Sequence, residues 1–199
     1  GMLASLLLAL LLNQRVKGVP LFRAIYYIPT LASAVATSLV WMRVFHPENG
    51  LVNSLIYGPD GSRNLLGLGD WLSRVAGTPG SPINWLNNEH TVLPAFIIMG
   101  LWGAGGGTII LLAGLQGISQ TYYEASTIDG AGLLAKFRHV TLPLLTPTLF
   151  FCLVTGVIGA LQVFTQAFVM TGGGPNSATM FYMLNLYNHA FRDLRMGYA

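Results

Sequence analysis

Glu124-Ala125-Ser126-Thr127-Ile128-Asp129-Gly130-Ala131, followed after a second short segment by Val140 and Leu142-Pro143, lies between two strongly apolar runs. Its punctuation is local and physical. Ser119 is placed to cap a helix whose body is Tyr122 to Asp129, and Gly130 to stop that helix in the left-handed conformation. A second helix is expected from Gly132 to about Val140, with Leu133, Leu134, Phe137 and Val140 at helical spacing and Lys136 and Arg138 open to water. Pro143 has no amide hydrogen to give, so it suits the first turn of the next helix. The pattern predicts a compact helix-turn-helix between two longer helices. It is longer and more charged than a connection within a helical bundle requires, which points to a docking surface rather than a tether.

What flanks this element is too apolar for water. Charged residues are 9% of the 199 against a usual share of about 25%, hydrophobic residues are 53%, and mean hydropathy is +0.58. A bilayer core of about 30 Å takes roughly 20 helical residues. Three runs reach that length: Ala24 to Phe45, uncharged until Arg43, and Val92 to Leu115 and Leu142 to Met170, which hold no acidic or basic residue. Met2 to Leu12 is apolar but short, and its basic residues, Arg15 and Lys17, follow rather than precede it. It therefore reads as the end of a span and not as a secretion signal. The chain stops at Gly197-Tyr198-Ala199 without a closing span, so the sequence is expected to cover the core of a longer membrane protein.

Basic residues orient the spans. The loop 13–23 gathers Arg15, Lys17 and Arg23 beside span ends, and the helix-turn-helix, within 116–141, carries Lys136 and Arg138, so the positive-inside tendency places both in the cytoplasm. The long loop 46–91 then falls outside, with turn formers such as Pro59-Asp60-Gly61 and Pro79-Gly80-Ser81-Pro82, as does 171–199. Inside the long loop, Leu65 to Val75 reads as an amphipathic piece with Trp71 and Leu72 at the membrane interface, and Trp85 as an aromatic-belt residue.

Polar groups within apolar runs are costly in lipid and point to function. Thr155, Gly159, Gln162 and Gln166 fall at i, i+4, i+7 and i+11, one stripe of the helix after the hairpin. Amides there suit either a neutral hydroxylated ligand or interhelical hydrogen bonds to a partner, and the sequence leaves both open. Gly100, Gly103, Gly105, Gly106 and Gly107 surround Trp102, and the G-x-x-x-G of Gly103 and Gly107 predicts close helix packing. No Lys-Ser or Lys-Thr follows these glycines, so they form no phosphate loop.

Several classes are excluded. Ten Lys and Arg, unclustered, make a poor nucleic-acid surface despite a net charge of +3. His46, His90, His139 and His189 lack metal-ligand spacing, and no catalytic constellation is visible. The lone Cys152, in an apolar run, reads as a packing residue. With no acidic or basic residue inside the runs, an ion-coupled carrier or channel is the weaker alternative.

The spacing Glu124, Ala125, Gly130, Val140, Leu142, Pro143 resembles the EAA loop of binding-protein-dependent permeases, the membrane subunits of ATP-binding-cassette (ABC) importers. Ser126 replaces the second Ala of the motif, and Ser119 stands where Pro is frequent. The resemblance implies an all-α polytopic membrane protein with the type I ABC importer permease core fold, a single permease domain over 1–199 in the bacterial inner membrane. It implies ATPase coupling through Glu124, Ala125, Ser126, Asp129 and Gly130, and a substrate path that includes Thr155, Gln162, Gln166 and Trp102. The implied partners are ABC ATPase subunits, a second permease and a periplasmic solute-binding protein. Cofactors would be absent from this chain, with ATP and Mg on the ATPase. The run Thr171-Gly172-Gly173-Gly174-Pro175 with Thr179, and later Tyr187 and Ala190-Phe191, resembles the sugar-importing branch, of maltose and glycerol-phosphate type; a non-sugar solute is the alternative.

Overall fold

The computed structural model describes residues 1–14, 19–57, 68–77 and 81–199. Arg15, Lys17 and the turn at Pro59-Asp60-Gly61 lie outside the described residues. The first helices are α1 (Met2–Leu12), α2 (Val19–Leu31), α3 (Ala34–Val44), α4 (Leu51–Tyr57), α5 (Leu68–Val75), α6 (Glu89–Trp102) and α7 (Gly105–Gln116). There follow α8 (Gln120–Ile128), α9 (Leu133–Lys136), α10 (Leu142–Leu161), α11 (Thr165–Met170) and α12 (Tyr182–Tyr187), with π-helical turns at Phe137–Thr141 and Asn188–Arg192.

By length and composition only Leu133–Met170, among the described residues, crosses a membrane by itself; the other two expected spans are each a pair of helices joined at a break. Ala24 to Phe45 is interrupted because Pro29 sits in the last turn of α2 and Ser33 starts a new helix, its Oγ accepting from the Ala36 amide at 3.2 Å. Val92 to Leu115 is interrupted at Gly103-Ala104, in a glycine run of low helix propensity. The third run departs from expectation at both ends. The second hairpin helix is present over 133–141 as expected, α9 followed by the π-turn, but it runs into α10 without a break, with Pro143 in α10's first turn; helical bonding then lapses at 162–164.

The chain forms two compact units. The first comprises residues 1–31 and 100–159. Ala9 and Leu12 of α1 pack with Leu111, Leu112 and Leu115 of α7 and with Leu145 and Cys152 of α10, so Cys152 is a core residue as expected. Glycines on α7 permit close approach to α2, α1 and α10, Gly114 lying where a side chain would come within 2.9 Å of Leu145 and Thr148. A side chain at Gly105 would collide with the Tyr26 carbonyl, and one at Gly107 would lie 2.9 Å from Ser5 Oγ. Gly103, by contrast, faces open space, so the close contact expected of Gly103 and Gly107 belongs to Gly105 and Gly107. Ser5 also donates to the Ala104 carbonyl at 2.8 Å, satisfying a polar group at the break between α6 and α7.

The second unit comprises residues 32–99 and 160–199. Its core is Phe45, Ala76, Ile83, Trp85, Ala95, Met99 and Met170. Here the long loop folds rather than merely connecting. Asn53 donates to the carbonyls of Pro47 (2.8 Å) and Ile83 (2.9 Å) and accepts from the Trp85 indole N–H at 2.8 Å. Trp85, 4% exposed, is therefore a core residue and not an aromatic-belt one. Tyr57 donates to the Gly69 carbonyl at 3.1 Å, tying α4 to α5. Burial pushes the Tyr57 phenol above its ordinary value, a hydrogen bond with Ser73 opposes, and the Asp70 carboxylate adds to the rise. On α5, Trp71 faces outward as expected, but Leu72 is half-buried and packs on the core.

Candidate functional site

The hairpin is built by its own side chains. Ser119 caps α8, its Oγ accepting from the Thr121 amide at 3.4 Å. At the other end Asp129 is the C-cap and Gly130 has φ of +76°. The Gly130 amide donates to Thr127 O (3.0 Å) and the Ala131 amide to Ser126 O (2.9 Å), the paired bonds of a Schellman stop. A side chain at Gly130 would meet nothing, so the glycine is required for its backbone angle and not for room. Lys136 Nζ donates to Thr127 Oγ1 at 2.8 Å and the Tyr123 hydroxyl pairs with Thr141 Oγ1 at 3.0 Å, closing the second limb onto the first. Ser126 donates its hydroxyl to the Tyr123 carbonyl at 2.8 Å.

This closure leaves an open outer face. Glu124, Ala125, Asp129 and Gly130 are all exposed, and among the described residues Glu124 and Asp129 have no ion-pair partner. Around them Ile128, Leu133 and Leu134 are 87%, 88% and 80% exposed. Leu133 and Leu134 stand at the start of the second helix, where nothing among the described residues covers them. A carboxylate beside a small residue, ringed by bare apolar groups, is a surface shaped for a protein partner. The ties through Tyr123, Thr141 and Thr127 carry no spacing signature, and the sequence reading missed them.

The expected substrate path is not one stripe. Thr155 and Gly159 lie on α10, but the helix ends at Leu161, so Gln162 falls in a turn and Gln166 on α11. Periodicity runs through 162–164 because no proline marks the stop. In the first unit Thr155, with Gly156 and Cys152, lines a cavity of about 310 Å³ whose other walls include Ser5, Gly103 and Gly107. The Thr155 hydroxyl donates to the Phe151 carbonyl at 2.8 Å, and Trp102 does not line this cavity. In the second unit Gln162 is exposed and Gln166 half-buried, and neither amide is hydrogen-bonded among the described residues. The run from Thr171 makes a self-bonded loop: Thr171 and Thr179 hydroxyls pair at 2.6 Å, and Thr179 also donates to the Gly174 carbonyl at 2.7 Å. Gly173 has φ of +97°, and a side chain there would press on Met180. Among the described residues no group of His, Cys, Asp and Glu converges as metal ligands.

Interrupted apolar helices joined to a rigid helix-turn-helix define a polytopic membrane protein. The chain belongs to the family described as "Binding-protein-dependent transport system inner membrane component", which matches residues 1–193. It is 36% identical over 182 residues to the "Trehalose/maltose transport system permease protein MalF" of Thermococcus litoralis, covering 91% of this chain and 55% of that protein. It is 32% identical to the "Probable ABC transporter permease protein YesP" of Bacillus subtilis, covering 98% of this chain and 58% of that protein. With the "Arabinooligosaccharides transport system permease protein AraP" of the same organism the identity is 33%, covering 98% and 57%. The chain thus spans somewhat over half the length of these relatives. In structure it resembles a chain of a bacterial ABC transporter for the acidic polysaccharide alginate, with a TM-score of 0.71 at 21% identity over 96% of this chain and 62% of that one. A bacterial alginate ABC transporter in complex with an alginate pentasaccharide-bound periplasmic protein gives 0.76 at 22% identity, over 98% and 62%. The fold is therefore the all-α type I importer permease fold.

Proposed function

We propose that this chain is the core of a permease subunit that moves a carbohydrate, delivered by a periplasmic binding protein, across the bacterial inner membrane at the expense of ATP. The observation that carries this reading is the hairpin face: exposed Glu124 and Ala125 on a helix whose end is fixed by Gly130, within a ring of unburied apolar side chains. An ABC ATPase fits that face, with a basic group of its own meeting Glu124 through charge-assisted hydrogen bonds. ATP and Mg belong to the ATPase, and a second permease completes the pathway. On this reading 13–23 and 116–141 lie in the cytoplasm, and 46–91 and 171–199 in the periplasm. The sugar-transport relatives, and the resemblance of the run 171–179 to the sugar-importing branch, support a carbohydrate.

Glu124→Lys tests the coupling. Uptake driven by ATP should be lost and the ATPase should no longer co-purify, because removing one member of a buried charge pair costs about 2 to 5 kcal/mol. Glu124→Lys complexes with normal ATPase association and uptake would sink the proposal. For the path, which takes in Thr155, Gln162, Gln166 and Trp102, Gln162→Leu should change which solutes are taken up while assembly stays intact. Loss of assembly with unchanged preference would assign the amide to subunit contact instead.

A further inference from the structure

Helix α5 is packed the wrong way round for a helix in water. Its small residues Gly69 and Ser73, continued by Ala76, face the protein, while Trp71 and Val75, on the opposite side, face away. Its neighbour α4 does the same: Asn53 is buried and Val52 and Ile56 pack on the core, whereas Leu51 and Leu55 point out. Leu51, Leu55, Trp71 and Val75 are 64%, 74%, 60% and 54% exposed. Four large apolar groups on two adjoining short helices call for an apolar surround.

The position of these helices names it. The start of α4 is held at the end of α3: the Gly50 amide donates to His46 O at 3.0 Å, Asn53 donates to Pro47 O, and Trp41 lies against Phe45 with ring centroids 5.0 Å apart. α3 itself turns Leu39 and Val40 outward, as a lipid-facing helix does. Tyr57 then fixes α5 to α4. The two outward faces therefore begin where a membrane helix ends. Beside them Arg43, in the last turn of α3, and Arg74, in the last turn of α5, are exposed and have no ion-pair partner among the described residues.

We propose that α4 and α5 lie in the bilayer interface, with Leu51, Leu55, Trp71 and Val75 against the upper acyl chains and Arg43 and Arg74 reaching headgroup phosphate. They anchor the second unit to the leaflet in which α3 ends, whatever solute is carried. The test is spin labelling of the full-length transporter in vesicles of phosphatidylethanolamine and phosphatidylglycerol, with Trp71→Cys, Leu55→Cys and, as the polar reference, Asp70→Cys. At 71 and 55 the ratio of oxygen to nickel-chelate collisions should rise severalfold over that at 70. Equal ratios at the three sites overturn the proposal. So does shielding of 71 and 55 that arises only when the binding protein is added, because it assigns the face to a protein. Leu55 and Trp71 lie on different helices, so failure of one variant to fold leaves the other to decide.

Discussion

The hairpin of α8 and α9 and the module built by α4, α5 and Trp85 are both connections between apolar helices, and they handle their surfaces oppositely. The module closes on itself, with Phe45, Ile83 and Trp85 buried and a buried amide satisfied by three partners. The hairpin ties its limbs together yet buries none of the residues of α8 or α9. The first arrangement is closed around its buried amide, although Leu51, Leu55, Trp71 and Val75 remain outside. The second is rigid, and its outer surface, with Glu124, Ile128, Leu133 and Leu134, stays uncovered among the described residues. Stability and function should therefore separate when the two are mutated.

The largest effect on folding is expected at the closed module. Asn53→Leu removes three hydrogen bonds and leaves the Trp85 indole N–H and two carbonyls unpaired, at a cost of about 3 kcal/mol. Thermal unfolding of the purified protein should show a clear loss, where Glu124→Lys shows none. Equal stability in the two variants would erase the contrast between the regions.

Gly130→Ala should have an intermediate effect. Alanine at φ of +76° is disfavoured by about 1 to 2 kcal/mol, with no steric clash to add. The expected signature is faster hydrogen exchange at the amides of 130 and 131 and reduced coupling, with global stability barely moved. A drop in global stability as large as that of Asn53→Leu would mean that the hairpin is part of the core after all.

Legibility in the sequence divides along the same line. Ser119, Gly130 and the hairpin were readable because caps and left-handed stops are set by neighbours in the chain. The apolar runs were readable from composition, but their breaks were not: at 162–164 no proline or glycine marks the stop, and Pro29 and Ser33 carry a local signal that the apolar character of the run masked. The Asn53–Trp85 bond joins residues 32 apart, and nothing local marks either as a partner. Trp85 was therefore assigned to a membrane surface when it is a core residue. The exposure of Leu133 and Leu134 was not legible for the converse reason: helical spacing marks a face but says nothing of what covers it.

The smallest effect is one of pH on the closed module. Because the Tyr57 phenol is raised, chiefly by burial, the folded state holds its proton more tightly than the unfolded chain does. Its contribution is complete below the ordinary tyrosine range near 10 and is lost as pH rises through the folded-state value. Stability should thus fall on the alkaline side, and Tyr57→Phe should flatten that limb while leaving the neutral plateau lower by the lost bond to Gly69. An unchanged alkaline limb in Tyr57→Phe would show that the phenol is not the group being titrated.

The π-turn at Phe137–Thr141 gives the hairpin a mechanical character. Since α9 runs through it into α10 with no break, a push on the hairpin reaches the apolar helix as through a shaft, with no hinge to absorb it. A π-turn also stores one residue more than an α-helical turn would hold. Releasing that residue would rotate the shaft by about 100° about its axis and lengthen it by about 1.5 Å, the increments of one helical residue. A helix joined in this way can lengthen and turn at the joint without breaking. Site-directed distances across 137–141 that stay fixed under all conditions would show that the joint is static.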